Sequence, residues 1–293
     1  MRKKFVKFII EKEESGKEKT FTCDGKKLAN FFGANPEAPN YLHRVFFNKD
    51  VLDKYYSSPE KYALTDAYLL SSDHVWGMPL DNNTKENVMA YLGDLGMLPY
   101  EEQQHWRLHN IANGNFSEVS YKRDFKAEPA NPSNPAEYFK IRIKSLNRKW
   151  KEKNGWDLFK PLNKEDEHHI QTLRLPKSQN QKEFDEQVNS ISKIMIDSLN
   201  VEEMNKLIKP VEKQGSINTL SNYLEKKFRV RFPEMISFLK SLWEIRGGAA
   251  HRKGKDYSEI YAKLDKGDFS KTFENILVEA ITTLNTLERV NSF

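Results

Sequence analysis

Hydrophobic residues follow two different patterns along the chain, and the change comes near residue 125. In the first part they fall in short runs separated by turn-forming residues, which is typical of β-strands. These runs predict strands over Lys4–Ile10, Thr20–Cys23, Tyr68–Leu70, Val75–Leu80, Val88–Leu92 and Tyr121–Phe125. Short helices are predicted over Lys26–Phe32, Lys49–Tyr56 and Glu101–His109. The N-terminal part is therefore predicted to be a mixed, strand-rich domain.

Beyond about residue 135, hydrophobic residues recur every three or four positions, which predicts amphipathic helices. The first of these has Asn134 as its N-cap, Pro135 at its first position and Gly155 at its end. Later helices are predicted to begin after the N-caps Ser178, Ser216 and Asp268, and at Pro233. Their inward faces are predicted to be Phe184, Val188, Ile191, Met195 and Leu199; Ile217, Leu220 and Leu224; Met235, Ile236, Leu239, Leu242 and Trp243; and Phe273, Ile276, Leu277, Ala280, Ile281, Leu284 and Leu287. Helices of this kind with short connections favour an antiparallel bundle.

Three prolines between Lys126 and Pro135 predict an extended linker between these two parts. We predict a mixed α+β recognition domain over residues 1–125, a Pro-rich linker over 126–135 and a helical region over 136–293. The core of the helical bundle is placed at about residues 178–293. The predicted fold class is α+β, with strands first and helices afterwards.

Composition and charge narrow the class of protein. The chain has 293 residues, of which 38% are hydrophobic and 30% charged, as in soluble globular proteins. No apolar run approaches the ~20 residues that a membrane-spanning helix needs, and Phe5–Ile10 is interpreted as a strand and not as a signal peptide. Cys23 is the only cysteine, so an intramolecular disulfide is excluded and a cytoplasmic location is expected. The net charge of +5 is modest, although basic clusters over Arg142–Lys160 and Lys206–Arg231 would suit a polyanionic partner.

The densest group of chemically active residues lies between Trp243 and Tyr257. The helix that begins at Pro233 leads to Arg246, His251 follows five positions later, and a basic segment comes next. On an ideal helix Arg246 and His251 are about 140° apart, so a straight helix does not bring both to one phosphate. Each glycine inside a helix costs about 1 kcal/mol relative to alanine. The Gly-Gly pair that follows Arg246 therefore predicts a bend, a helix end or a close packing contact.

The segment Arg246-Gly247-Gly248-Ala249-Ala250-His251, at the end of an internal helix of a predicted bundle, resembles the Arg-x4-His motif of the HEPN (higher-eukaryote and prokaryote nucleotide-binding) superfamily. The resemblance covers roughly residues 178–293. Many members are metal-independent endoribonucleases of prokaryotic toxin–antitoxin, antiviral defence and CRISPR systems. They dimerise so that two Arg–His pairs form one composite site.

This resemblance implies a homodimeric RNA hydrolase that uses no metal or cofactor. His251 would move the proton of the attacking 2′-hydroxyl or of the leaving 5′-oxygen, and Arg246 would stabilise charge on the phosphate. The residue types suit these roles, because histidine titrates near neutral pH and arginine stays charged. Arg252, Lys253 and Lys255 would then contact the RNA backbone.

One position departs from the family pattern. The residue after the arginine is commonly Asn, Asp or His in active members, and here it is Gly247. This departure favours a second interpretation, in which the bundle is a non-catalytic dimerisation or nucleotide-binding module. A third is a sensor or adaptor that binds a regulatory ligand or partner protein through the N-terminal domain. In a purely structural interpretation, Arg246 pairs with a carboxylate such as Glu244 or Asp256, and His251 ends the helix.

A second group of candidate residues lies in the N-terminal part. His105 and His109 occupy positions i and i+4 of a predicted helix, with Glu101 and Glu102 nearby, which is compatible with a metal site. The motif lacks the carboxylate that zinc proteases have between the histidines. The alternative is a structural helix whose Trp106 packs in the core and whose histidines are partly exposed.

Two further candidates are interpreted as structural. His168 and His169 follow Glu165-Asp166-Glu167, which indicates an exposed acidic helix start rather than a set of metal ligands. No activating motif accompanies Cys23, so its role is expected to be structural.

Overall fold

The computed structural model describes residues 3–30, 32–177, 180–208, 214–250 and 268–292, and of residues 248–250 it describes the backbone alone. The chain divides into two compact units, with the division between Asn134 and Pro135. All strands in the described ranges lie in the first unit, and the second unit is helical. The α+β class with strands before helices is therefore confirmed.

The first unit contains three small antiparallel sheets. One pairs β1 (Lys7–Lys12) with β2 (Glu18–Thr22). In the second, β3 (Arg44–Asn48) lies between β7 (Asn87–Tyr91) and β8 (Asn110–Ile111), with Phe46 opposite both Met89 and Ile111. The third is a meander of β4 (Tyr62–Leu64), β5 (Tyr68–Ser71) and β6 (Gly77–Pro79).

Four helices accompany these sheets in the described part of the first unit. They are α1 (Asp53–Tyr56), α2 (Leu92–Leu95), α3 (Tyr100–Leu108) and α4 (Glu118–Phe125). A 3₁₀ turn, Lys49–Leu52, leads directly into α1, so the helix predicted over Lys49–Tyr56 is present in two parts. The helix predicted over Lys26–Phe32 is wrong, because Gly25–Lys27 forms a single 3₁₀ turn.

The strand predicted over Tyr121–Phe125 is also wrong. Ser117 precedes this segment, and its hydroxyl accepts a hydrogen bond from the Ser120 amide at 3.0 Å, which caps the start of α4. The helix buries Val119 and Ser120 and leaves Tyr121 and Phe125, four positions apart, exposed on its outer face.

An aromatic cluster forms the core of the first unit. Phe47 packs edge-to-face against Trp106 with ring centroids 4.7 Å apart, and against Phe8 at 5.9 Å. All three side chains are completely buried, which confirms the structural interpretation of Trp106. Edge-to-face pairs of this kind stabilise a core beyond the burial of their area.

The described part of the second unit contains seven α-helices. They are α5 (Pro135–Asn154), α6 (His168–Gln171), α7 (Gln181–Ser192), α8 (Val201–Asn205), α9 (Ser216–Phe228), α10 (Pro233–Ala250) and α11 (Phe269–Ser292). The longest, α11, packs along α5 and also contacts α7 and α10. None of the described helices is long and apolar enough to cross a membrane.

The inward faces predicted for these helices are mostly confirmed. The stripe Phe184, Val188, Ile191, Met195 and Leu199 is buried throughout, as are Phe273, Ile276, Leu277, Ala280, Leu284 and Leu287 of α11. Trp243 is a wrong prediction, since more than half of its surface is exposed and Ile245 is buried instead. Residues 242 and 245 are three positions apart on one face of α10, and residue 243 lies about 100° from residue 242.

Most helix ends follow the sequence signals, but the N-cap predicted at Ser216 is wrong, because Ser216 is the first residue of α9 and Gly215 precedes it without a side-chain cap bond. Pro135 and Asp268 stand where predicted, and the Asp268 carboxylate accepts a hydrogen bond from the Lys271 amide at 3.0 Å. Gly155 follows α5 with φ of +82°, a conformation that residues with a side chain rarely adopt. Ser178 lies outside the described residues, and Asn180 caps α7 by accepting from the Glu183 amide at 3.1 Å.

Candidate functional site around Arg246

Arg246 lies one turn before the described end of α10. The sequence predicts a bend, a helix end or a close packing contact at the glycine pair; the described helix continues through Gly247 to Ala250, which excludes the helix end. A Cβ atom built on Gly247 meets no described atom within 4 Å, which also excludes close packing of described atoms at that position. Among the described residues, none packs against Gly247 beside Arg246.

The guanidinium of Arg246 is held by a carboxylate from another helical segment. Its Nη1 donates a hydrogen bond to Oδ2 of Asp197 at 2.7 Å. The Arg246 side chain is 27% exposed and that of Asp197 is 44% exposed, so water and solutes reach the pair. The structural interpretation expected Arg246 to pair with a carboxylate such as Glu244 or Asp256; Arg246 does pair with a carboxylate, and the partner in the described residues is Asp197. Asp256 lies outside the described residues.

A π-helical turn places Asp197 beside Arg246. Residues Lys193–Asp197 continue α7, and the Ser198 amide donates to the Lys193 carbonyl at 3.1 Å, five positions back. Ile194, Met195 and Ile196 are buried by this wider turn, which leaves Lys193 and Asp197 at its ends facing solvent. Since α10 packs against both α7 and this turn, Asp197 can reach the arginine. Such insertions are common at functional sites.

A second charged group lies at the other end of the π-helical turn. Nζ of Lys193 donates to Oδ1 of Asp166 at 2.6 Å, and Nε2 of His169 lies 3.7 Å from the same oxygen. His169 is buried, and its Nδ1 lies 2.9 Å from the Ser190 hydroxyl oxygen. The ring of His168 lies 4.0 Å from that of His169, and the His168 side chain is exposed. The exposed position expected for His169 is therefore wrong.

Burial and neighbouring charges set the protonation of this group. The pKa of His169 is lowered to about 4, mainly by burial and also by the nearby positive charges of His168 and Lys193, while Asp166 and Asp197 oppose the shift. The hydrogen bond from Lys193 lowers the pKa of Asp166 below its usual value. At neutral pH the group therefore contains a neutral His169 and a charged Asp166.

The order Ser190, His169 and Asp166 superficially resembles a nucleophilic triad. Ser190 and His169 are both buried in the packed interior of the second unit, so a substrate does not reach the hydroxyl. Nucleophilic catalysis needs an accessible oxygen, and the three residues are better explained as a buried hydrogen-bonded set. The accessible charged side chains of this region include Arg246 and Asp197 as well as the Lys193–Asp166 ion pair, in which both side chains are 32% exposed.

Of the five residues predicted to act on RNA, the structure describes only Arg246. Arg246 has a defined geometry, whereas His251, Arg252, Lys253 and Lys255 lie outside the described residues. Asp197 was missed by the sequence analysis. It precedes Arg246 by 49 positions, and no local spacing rule connects two residues so far apart.

The histidine pair of the first unit is engaged in structural contacts. Nε2 of His105 lies 2.9 Å from the Val51 carbonyl oxygen, and its ring lies 5.0 Å from that of His109. Glu102 is buried and accepts hydrogen bonds from Lys54 at 2.5 Å and from the Tyr55 hydroxyl at 2.7 Å. Among the residues with described positions, no group of three His, Cys, Asp or Glu side chains is arranged to hold a metal ion.

Cys23 is also engaged in the core of the first unit. Its thiol is buried and donates to Oε1 of Gln103 at 3.1 Å. Burial raises the pKa of the thiol to about 11, so the reactive thiolate is scarce at neutral pH. These contacts agree with the structural role expected for this cysteine.

Comparisons of the chain with protein-family models, curated proteins and solved structures found no match.

Proposed function

We propose that the chain is a metal-independent endoribonuclease of the HEPN type, with Arg246 and His251 as its catalytic residues. The observation that carries the proposal is the position of Arg246. Its guanidinium stands at the surface of α10, five residues before His251, and among the described residues one exposed carboxylate, Asp197, pairs with it. A phosphate can compete for a guanidinium held in this way, because arginine binds both anions through the same donors.

In the proposed mechanism the second unit is an antiparallel HEPN-like bundle that forms a homodimer. His251 acts as the general base or acid on the 2′-hydroxyl and the 5′-oxygen, and Arg246 stabilises the charge that builds on the phosphate. Arg252, Lys253 and Lys255 hold the RNA backbone by charge. A role in prokaryotic antiviral defence or in a toxin–antitoxin system follows from the resemblance of the Arg-x4-His segment to that superfamily.

Incubation of the purified protein with total RNA in EDTA tests the proposal. The wild type is expected to cleave RNA, and Arg246→Ala and His251→Ala are each expected to lower the rate by about a hundredfold or more. Arg289→Ala is the matched control, because Arg289 is an exposed arginine on α11, outside the proposed site. Identical cleavage by the wild type and both site variants would contradict the proposal.

A second candidate function is a non-catalytic dimerisation or nucleotide-binding module. Two observations favour it: Asp197 already neutralises Arg246, and the open position beside the arginine is Gly247 rather than a polar residue. RNA binding that is equal in the wild type and His251→Ala, with no cleavage by either protein, would support this candidate over the ribonuclease.

A further inference from the structure

The outer face of α4 in the first unit carries a cluster of exposed aromatic rings. Tyr121 and Phe125 are 42% and 49% exposed, and their rings stack with centroids 5.9 Å apart and planes inclined by 27°. Phe116, in the loop before the helix, lies 6.4 Å from the Tyr121 ring. Contiguous exposed apolar groups of this kind often mark an interaction site.

Two cations lie over these rings. Cζ of Arg44 is 3.6 Å from the centroid of Phe116 and 5.3 Å from that of Phe125. Nζ of Lys126 is 5.4 Å from the centroid of Tyr121. Cation–π contacts of this kind orient a side chain and leave its hydrogen-bond donors available.

These two cations differ from their basic neighbours in having no carboxylate partner within the described residues. Lys122 pairs with Glu118 at 3.1 Å and Arg123 pairs with Asp66 at 2.5 Å. By contrast, the structure gives Arg44 and Lys126 contacts with the aromatic rings and no ion pair with a described carboxylate. The positive charges that remain available on this face are therefore those beside the exposed rings.

Hydrogen bonds to neighbouring segments fix the position of α4, which carries this surface. The Asp124 carboxylate accepts hydrogen bonds from the Tyr91 hydroxyl at 2.8 Å and from the Ser120 hydroxyl at 2.7 Å, which ties α4 to β7. Arg123 donates to the Ala130 carbonyl at 2.6 Å, which ties the helix to the segment that follows it. Arg123 also donates to Asp66. A surface fixed in this way loses little conformational entropy when it binds a ligand.

We propose that this surface, formed by Arg44, Phe116, Tyr121, Phe125 and Lys126, binds single-stranded RNA. Bases stack on Tyr121 and Phe125, and Arg44 and Lys126 contact the adjoining phosphates. Exposed aromatic rings beside cations that form no ion pair with a described carboxylate suit a single strand, whose bases stack on rings and whose phosphates attract cations. The choice of RNA as the nucleic acid rests on the proposed function, whereas binding at this surface requires no cleavage.

Fluorescence anisotropy with fluorescein-labelled oligouridylate and oligoadenylate of about ten nucleotides tests the inference, because this length spans one typical single-strand binding site. The protein is the full chain carrying Arg246→Ala and His251→Ala, so that the RNA stays intact. In this background Tyr121→Ala and Phe125→Ala are each expected to weaken binding about tenfold, the usual effect of losing one base–aromatic stack. Lys126→Ala is expected to weaken binding and to reduce its dependence on salt.

Phe32→Ala is the matched control, since Phe32 is a 97% exposed ring of the same unit outside the cluster. Thermal unfolding monitored by circular dichroism establishes that each variant is folded. Equal affinities of the Tyr121→Ala, Phe125→Ala and Phe32→Ala proteins would overturn the inference, and so would equal binding of a duplex RNA of the same length. Loss of binding in the α4 variants together with an inactive wild type would uphold this surface and reject the ribonuclease alone.

Discussion

Asp197 controls both the orientation of the Arg246 guanidinium and its availability to a ligand. It orients the guanidinium from the end of the π-helical turn, and it also competes with any phosphate for the same N–H donors. Exposed ion pairs contribute little to stability, at most about 1 kcal/mol, because water screens both charges. The pair is therefore better suited to holding Arg246 ready for a ligand than to holding the fold together.

Replacement of Asp197 by asparagine separates these two effects. Asp197→Asn is expected to change the free energy of unfolding by less than about 1 kcal/mol. It is also expected to strengthen RNA binding several-fold, because the phosphate no longer competes with a carboxylate for Arg246. Urea unfolding and anisotropy with labelled RNA measure the two quantities. Glu225→Gln, which removes the exposed carboxylate partner of Arg231, is the control for a general change in charge; an equal gain in both variants would contradict a specific role for Asp197.

His169 makes the stability of the second unit depend on pH. Its pKa is about 4 in the folded protein, against an ordinary value of 6.5, so the unfolded chain takes up a proton first as the pH falls. Stability is therefore full above pH 6.5 and is lost as the pH drops toward about 4. The loss is up to about 3 kcal/mol, since one pKa unit corresponds to about 1.4 kcal/mol and the side chain is only 9% exposed.

Urea unfolding of the wild type and of His169→Gln at several pH values tests this dependence. The variant has no imidazole to titrate, so its stability is expected to fall less than that of the wild type between pH 6.5 and about 4. Carboxylates far from residue 169 titrate in both proteins and cancel in the comparison. Parallel curves for the two proteins would show that His169 does not contribute.

At the scale of single residues, the sequence predicts local chemistry and misses distant partners. The Arg-x4-His spacing selects Arg246 directly, and the burial of Trp106 follows from its place in an aromatic-rich segment. The pairing of Arg246 with Asp197, and the burial of His169 against Ser190, depend on how helices far apart in the sequence pack together. Charge and polarity alone do not encode these contacts.

At the scale of elements, replacement of glycine by alanine is expected to change protein stability in opposite directions at Gly155 and at Gly247. Gly155 has φ of +82° with no described atom near a Cβ, so Gly155→Ala is expected to destabilise the protein by about 1 kcal/mol through the backbone alone. Gly247 lies inside α10, and no described atom lies within 4 Å of a Cβ at that position. Gly247→Ala is therefore expected to stabilise the protein by up to about 1 kcal/mol. Chemical denaturation measures both, and changes of the same sign would refute this account of the two positions.

Short segments are where element prediction fails, and α4 shows the reason. In Tyr121–Phe125 the two aromatic residues lie four positions apart, which fits one face of a strand and one face of a helix equally well. The N-cap at Ser117 favours the helix, and Ser117 lies before the segment Tyr121–Phe125. The π-helical turn was not predicted either, because the spacing from Met195 to Leu199 looks like ordinary helical periodicity.

At the scale of the whole molecule, the order of strands and helices could be predicted, but the pairing of strands could not. The change from short apolar runs to a period of three to four residues is a property of the sequence itself. Joining β3 with both β7 and β8 requires contacts between residues at least 39 positions apart, such as Asn48 and Asn87, which no local pattern specifies. The two proposed RNA contacts are likewise assigned to separate units, with base stacking on α4 and phosphate chemistry at Arg246.

The ribonuclease proposal is tested most directly by mapping RNA 5′ and 3′ ends after incubation of cellular RNA with the wild type, Arg246→Ala, His251→Ala and Arg289→Ala in EDTA. The account predicts discrete new ends with the wild type and Arg289→Ala, and none above background with Arg246→Ala or His251→Ala. The same set of ends from all four proteins, or no new ends from the folded wild type, would contradict it.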